Sequence, residues 1–487
     1  MKKVITFSFA LMASATMFAQ TPLWGGEEYP IGDKGGFWDR CNQEVVENPL
    51  KDGVNTSEKC LKFTITGNDW DNGSAAKGLE VSSFGSKRLS LMIKKEKSSN
   101  VRVEVKCNGE TKKVVAWYDG NGEWRKLYFD FSTNNAEGVP TEITIFPTTD
   151  NEGEQVVYLD NIQIEDAPQV NGKALSDIEN NSLSGNLKLT GAWLKGECQN
   201  ADGDWQKVEY NDFAALASKL ADNATSIDMR GTTTKDVDVN AMRDGDKHSN
   251  IVVFADEAYN AINVVNDGKC KSLVLGSDKP FATPEDFEAE SVEIYRSTYA
   301  GYNTMCLPFW VNKEDLGAKT LATYKEPTEQ EDKMLINFEK KEAVDANVPF
   351  IAEFDTDTDA KQPLRFANKG IVNTPAEMGN PFTGTYTPGS ATGLYGLTAN
   401  TTFKKGGEHA TFKGFSAYLT LSEAQEAKNI VLGIDGEVTG ISNIAAESNG
   451  QIDKVYNLQG IQVGTTASLE NLENGIYVIN NKKVVIK

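Results

Sequence analysis

A chain of 487 residues is longer than one compact domain, and at about 150 residues per domain it suggests roughly three folded parts and a tail. Its 70 acidic against 49 basic residues give a formal charge of -21, which repels a phosphate backbone and excludes nucleic acid as a partner class. Neutral glycans and calcium stay compatible with it. The chain has only two histidines, His248 and His409, in no triad, HExxH or metal-ligand spacing, and both are expected to be exposed.

Residues 1–19 carry Lys2 and Lys3, then an apolar run from Val4 to Phe18 interrupted by Thr6, Ser8, Ser14 and Thr16, ending at Ala19. This is the pattern of a secretory signal peptide, with Met17 an imperfect residue three before the cleavage point. No later stretch approaches the ~20 apolar residues of a spanning helix, so no transmembrane segment is expected. Six cysteines, at 41, 60, 107, 198, 270 and 306, lie far apart without CxxC spacing. They read as isolated core thiols. Cys107 continues the alternation of Val101, Val103 and Val105.

Residues 20–170 form the first predicted module. Leu61, Phe63 and Ile65 alternate with Lys62 and Thr64, Leu127, Phe129 and Phe131 alternate with Tyr128 and Asp130, Leu89, Leu91 and Ile93 repeat the same spacing, and Val157, Leu159 and Ile162 open a closing strand. Period-two runs separated by Gly, Asn, Asp and Ser predict an antiparallel β-sandwich. Asp119-Gly-Asn-Gly122 supplies a turn before Trp124.

The stretches Asn48 to Ser57, Lys59 to Lys62, Gly122-Glu-Trp124 with Leu127 to Phe131, and Tyr158-Leu-Asp-Asn-Ile162 resemble the galactose-binding-like jelly rolls of carbohydrate-binding modules over about a third of the chain. The resemblance implies binding of a polysaccharide or oligosaccharide. A pyranose has an apolar CH face and a ring of hydroxyls, so a binder needs open aromatic rings with polar residues beside them. The candidates are Trp70 with Asp69, Asp71 and Asn72 in one loop, together with Trp117, Tyr118, Trp124 and Tyr128. Trp117 and Tyr118 are adjacent and point to opposite faces, so one belongs to the core. Trp124 and Tyr128 share the parity opposite to Leu127, Phe129 and Phe131, which puts them away from the core, although one bulge reverses this and the motif's Trp often packs. The resemblance also implies a structural calcium, with Asp160 of the closing strand as ligand and Glu27, Glu28 and Asp33 as early partners.

Residues 171–300 read as a mixed α+β or solenoid-like segment, with strands at Leu187 to Leu189, Ser226 to Gly231, Asn250 to Phe254 and Ser272 to Leu275. Phe213, Leu216 and Leu220 after Asn211-Asp212 predict a capped amphipathic helix. Residues 301–440 read as a β-rich domain. Asp355-Thr-Asp-Thr-Asp359 starts like an EF-hand loop but has Ala360 where Gly is required, which makes it an acidic turn. Residues 441–487, with Val455 to Gly460, Leu472 to Ile479 and Lys482 to Lys487, resemble the type A C-terminal sorting domain of the type nine secretion system. That resemblance implies handling by secretion machinery and delivery to the cell surface, against a plain β-hairpin cap as the alternative.

The chain is therefore expected to be mainly β: a sandwich module, middle mixed and β-rich domains, and a small C-terminal β domain. The expected function is non-catalytic carbohydrate binding at the cell surface. A surface adhesin or scaffold binding protein partners is the alternative, and a glycan-active enzyme of unfamiliar motif a second one.

Overall fold

The computed structural model describes residues 21–38, 42–65, 75–79, 87–131, 138–148, 153–200, 205–329, 333–399, 401–422, 425, 429–438, 454–457, 461–465, 472, 475–479 and 482–486. The chain divides into two compact units, residues 1–248 with 253–261, and residues 249–252 with 262–487.

The first unit contains the predicted sandwich. One sheet is built from β1 (Thr21–Trp24), β2 (Asn42–Glu47), β3 (Lys59–Ile65), β5 (Lys87–Lys95), β8 (Arg125–Asp130) and β10 (Gln155–Asp166). Its order is β2-β3-β10-β5-β8, with β1 also on β10. The other sheet uses β4 (Ala75–Gly78), β6 (Ser99–Cys107), β7 (Glu110–Tyr118) and β9 (Pro140–Phe146) in the order β7-β6-β9-β4. Alternation aims Leu61, Phe63, Leu89, Leu91, Leu127 and Phe129 of the first sheet at Val101, Val103, Val105, Val114, Ile143 and Ile145 of the second, and these form one core. Two tight turns hold the strand order. Asn108-Gly109, in the β6–β7 hairpin, and Asn121-Gly122, where the chain crosses from β7 to β8 in the other sheet, all have positive φ, between 46° and 88°, the left-handed pair that a tight turn needs and that Asn-Gly supplies with least strain.

The sandwich does not stop at residue 170. After β11 (Gln169–Val170), β12 (Lys173–Ala174) and β13 (Leu183–Thr190), the strands β14 (Ala192–Asn200) and β15 (Gln206–Asn211) extend the second sheet beyond β7, with Gln199 opposite Val115. The chain then enters α1 (Asp212–Lys219), which starts where the sequence predicts. The Asn211 side chain accepts the Ala214 N–H at 3.2 Å, and Phe213 and Leu216 turn inward. Helix α1 leads to Leu220–Asp228, which runs parallel to β13.

The second unit is also mainly β. Val264–Asn266, Lys269–Gly276, Phe287–Tyr295 and Leu364–Ile371 are neighbours in that order, the middle two parallel. A larger sheet places Gly301–Met305, Phe350–Phe354, Thr320–Tyr324, Lys333–Lys341, Asn429–Ile434 and Glu437–Val438 side by side, with Thr328–Glu329 on Lys333–Lys341. A four-stranded sheet of Phe382–Thr385, Ser416–Leu419, Tyr395–Leu397 and Phe403–Lys405 shares its core through Ile336, Phe338, Phe382, Phe403 and Leu419. The acidic turn works as a turn: Asp357 accepts the Ala300 N–H at 2.7 Å and Asp355 pairs with Lys319. The tail forms a four-stranded antiparallel sheet in the order Gln462–Thr465, Lys454–Tyr456, Gly475–Ile479, Lys482–Ile486.

Cys60, Cys107, Cys198, Cys270 and Cys306 are buried, and burial pushes the Cys60 and Cys306 thiols up to about 12. His409 is exposed, but His248 corrects the expectation of two exposed histidines. It is buried, and its N–H donates to Arg243 O at 3.0 Å.

Candidate functional site

The structure separates the aromatic residues that the sequence groups together. Trp70, Asp69, Asp71 and Asn72 lie outside the described residues. Of the adjacent pair, Tyr118 is the core member and Trp117 stands out at 57% exposure. The Tyr118 hydroxyl lies 2.9 Å from Lys95 O and 2.7 Å from Glu123 O, which ties down the β7–β8 turn. Trp124 is fully buried and its indole N–H donates to Leu50 O at 2.8 Å, with Asn48 Oδ1 at 3.2 Å. It locks the loop after β2 onto the sandwich. Tyr128 does point away from the core, as its parity requires, but Ala192, Leu194 and Tyr210 pack over it. Tyr118, Trp124 and Tyr128 therefore offer no open ring face for a sugar.

The calcium expectation meets a different arrangement. Asp160 sits at the bulge of β10 with no exposed surface, and its carboxylate accepts Asn55 Nδ2–H at 2.9 Å and the Asn161 N–H at 2.7 Å. Burial raises its pKa above the ordinary carboxylate value, against these hydrogen bonds and others from Ser57 and Gly26. Glu27 accepts the Glu58 and Lys59 N–H groups at 2.6 and 3.0 Å, and Asp33 accepts the Gly35 N–H at 2.7 Å; Glu28 is exposed. The Lys59 ammonium already occupies the carbonyls of Glu27 and Tyr29, at 3.2 and 2.8 Å. Calcium needs six to eight oxygen ligands. Asp160 is surrounded by donors instead, and among the described residues no three His, Cys, Asp or Glu form a group able to hold a metal. The predicted ligand set does not fit the ion as these side chains are arranged.

The outer face of the second sheet does bring aromatic and polar groups together. Strand β6 turns Val101, Val103 and Val105 into the core, which puts Asn100, Arg102 and Glu104 on the outside. Register then sets the neighbours. Asn100 is opposite Trp117, Arg102 lies between Val115 and Phe146, and Glu104 lies between Lys113 and Thr144. Thr144 is opposite Ala76, and Ala76 makes a bridge with Trp38. Trp38 is 46% exposed and shares this outer face. Arg102 is nearly buried, with its guanidinium 3.8 Å from the Phe146 ring centroid and Nε 3.0 Å from Glu104, which lies 3.8 Å from Lys113. Trp38 and β7 are four strand spacings apart, and Trp117 lies four residues along β7 from Lys113. At ~4.8 Å per strand and ~3.3 Å per residue the two indoles stand about 23 Å apart. That spacing equals the length of an oligosaccharide several residues long.

Sequence reading found Trp117 but passed over Trp38, Arg102 and Glu104. The alternation Asn100-Arg102-Glu104 was visible as the outer set of β6. Trp38 carries no such signal, because only the bridge to Ala76 puts it on this face.

No family model matches the chain, and no curated protein matches it. Among solved structures, it is similar over 30% of its length to the family 11 carbohydrate-binding module of a cellulosomal cellulase of Clostridium thermocellum, at 11% identity and TM-score 0.22, covering 94% of that chain. It is similar over 30% to a family 29 carbohydrate-binding module complexed with mannohexaose, at 13% identity and TM-score 0.20, covering 90% of that chain. An exo-beta-agarase is matched over 30% of this chain at 14% identity and TM-score 0.24, and the match spans only 25% of the agarase. The sandwich itself rests on the strand pairing described above.

Proposed function

We propose that this chain is a secreted, cell-surface, non-catalytic carbohydrate-binding protein. Its sandwich holds a polysaccharide across the outer face of the second sheet, with Trp117 and Trp38 as stacking platforms and Asn100, Arg102, Glu104 and Lys113 as hydrogen-bonding partners. One observation carries the reading: two open indole rings share one face of one sheet, with a charged pair between them. Large open aromatic rings beside fixed polar groups match the two kinds of surface that a pyranose presents. Export is supported by the Lys2–Lys3 start and apolar run before Ala19, and surface delivery by the sorting-domain-like strands of the tail. Among the described residues no helix is long and apolar enough to cross a membrane.

Affinity electrophoresis on a panel of plant and host polysaccharides tests the proposal. Retardation on at least one glycan, weakened in Trp117→Ala and in Trp38→Ala, is the expected result. Retardation on none returns the chain to the scaffold or adhesin reading, and release of reducing sugar from the same panel makes it an enzyme.

A further inference from the structure

The second unit contains a buried cation whose hydrogen bonds, among the described residues, go to backbone carbonyls. Strand Phe287–Tyr295 delivers the chain to Arg296, which is only 7% exposed. Its guanidinium donates to Thr304 O at 2.6 Å and to Phe415 O, both backbone carbonyls that carry no net charge. Burial pulls its pKa down to about 10, so it stays protonated at neutral pH, and among the described residues no carboxylate acts on it. A buried cation held only by backbone carbonyls among the described residues is costly.

Arg296 lines a cavity of about 230 Å³. Lys413 is a second cation on its wall, and among the described residues no Asp or Glu lines it. Aromatic surface lies beside the charge: Phe412 and Tyr418 stack with centroids 5.2 Å apart, and Tyr299 is 66% exposed. Asn303 fixes the Tyr299 loop, accepting the Tyr299 N–H at 3.0 Å and donating to Tyr299 O at 2.7 Å and Gly301 O at 3.0 Å. Phe415 has a φ of +56°, a strained conformation for a bulky residue, and in it one carbonyl meets both Arg296 and the Cys306 N–H.

We propose that this cavity binds a carboxylate-bearing monosaccharide, with Arg296 and Lys413 taking the carboxylate and Tyr299, Phe412 and Tyr418 packing against the ring. A planar guanidinium suits a carboxylate, and a cavity of this volume takes one sugar ring rather than a chain. The site lies wholly in the second unit and does not depend on the glycan face of the first.

Calorimetry of the full chain with D-galacturonate, D-galactose and acetate tests it. Galacturonate should bind at least tenfold more tightly than galactose and weaken with added salt. Acetate should bind detectably but more weakly than galacturonate. Lys413→Ala and Tyr299→Ala, both at exposed positions, should each weaken galacturonate threefold or more while leaving the melting temperature in place. Arg296→Met should weaken it more than tenfold, and the two exposed variants keep the test decisive if that protein does not fold. Trp117→Ala should leave it unchanged, which separates this site from the first. Equal affinity for galactose and galacturonate, acetate binding as tightly as galacturonate, no carboxylate binding, or full affinity in both exposed variants would each overturn the proposal.

Discussion

Arg88→Met tests how the sandwich is closed. Arg88 is buried on the outer side of β5, with Nε and Nη2 donating to Asp130 Oδ2 at 3.0 and 2.8 Å and Nη1 and Nη2 donating to Asp212 at 2.7 and 3.1 Å. It also donates to Ala192 O, and Asp212 accepts the Leu194 N–H at 2.7 Å. Burial works against the charge, but the Asp130 and Asp212 carboxylates outweigh it and hold Arg88 above its ordinary value. Methionine keeps most of the volume and takes the guanidinium away from the buried Asp130 and Asp212 carboxylates. Breaking a buried pair in this way costs about 3–5 kcal/mol. The loss should depend on pH in one direction. Taking a cation away from buried carboxylates favours their protonated form, so the folded variant binds protons more readily than the unfolded chain, and its stability falls as pH rises above about 4. The destabilisation is therefore larger at pH 7 than at pH 4.5. Urea unfolding followed by tryptophan fluorescence reports on this unit, since seven of the eight tryptophans lie within residues 1–248. A variant within about 1 kcal/mol of the parent, or one equally destabilised at both pH values, would refute the reasoning.

On the glycan face, Trp117→Ala and Trp38→Ala should each weaken binding by about 1–2 kcal/mol, roughly 5- to 30-fold, with the melting temperature unchanged because both rings are open; an unchanged electrophoretic shift in both would remove the platform. Asp228 accepts Lys188 Nζ at 2.9 Å and Arg230 Nε at 2.9 Å, and although burial pushes its pKa up, these bonds hold it below the ordinary value. Stability from a depressed carboxylate is present above its unfolded pKa and lost as pH falls through the folded one. Asp228→Asn should thus cost about 1 kcal/mol at pH 7, discounted for its half-open partners, with the gap closing only below the ordinary carboxylate range; a gap that persists in acid would contradict the assignment. Because donors surround Asp160 and Lys59 occupies the nearby carbonyls, a chelator or added calcium should shift the melting temperature by less than about 1 °C, and a rise of several degrees with calcium would show that these side chains rearrange around an ion.

Much of the fold could be read from local pattern. Alternation at Leu61 to Ile65, Leu89 to Ile93 and Leu127 to Phe131 identifies strands and their inner faces, because a strand's side chains change sides at every residue whatever their partners. Asn-Gly turns and the Asn211 cap are equally local, since each depends on the backbone conformation or hydrogen bond of a few adjacent residues. For the adjacent Trp117 and Tyr118 the sequence establishes that they face opposite ways.

It does not establish which ring meets water. Tyr128 obeys its parity and is still closed off, because Ala192, Leu194 and Tyr210 arrive from more than 60 residues along the chain to cover it. Trp124 is fixed by Asn48 and Leu50, Trp38 joins the outer face of the second sheet through Ala76, and Arg88 reaches Asp212, all across gaps that no periodicity spans. The residues themselves thus determined that this chain builds strands, turns and an apolar interior. Tertiary pairing alone decided which aromatic and charged groups stay open to a ligand, because exposure depends on what packs over a residue, and that neighbour is usually far away in sequence.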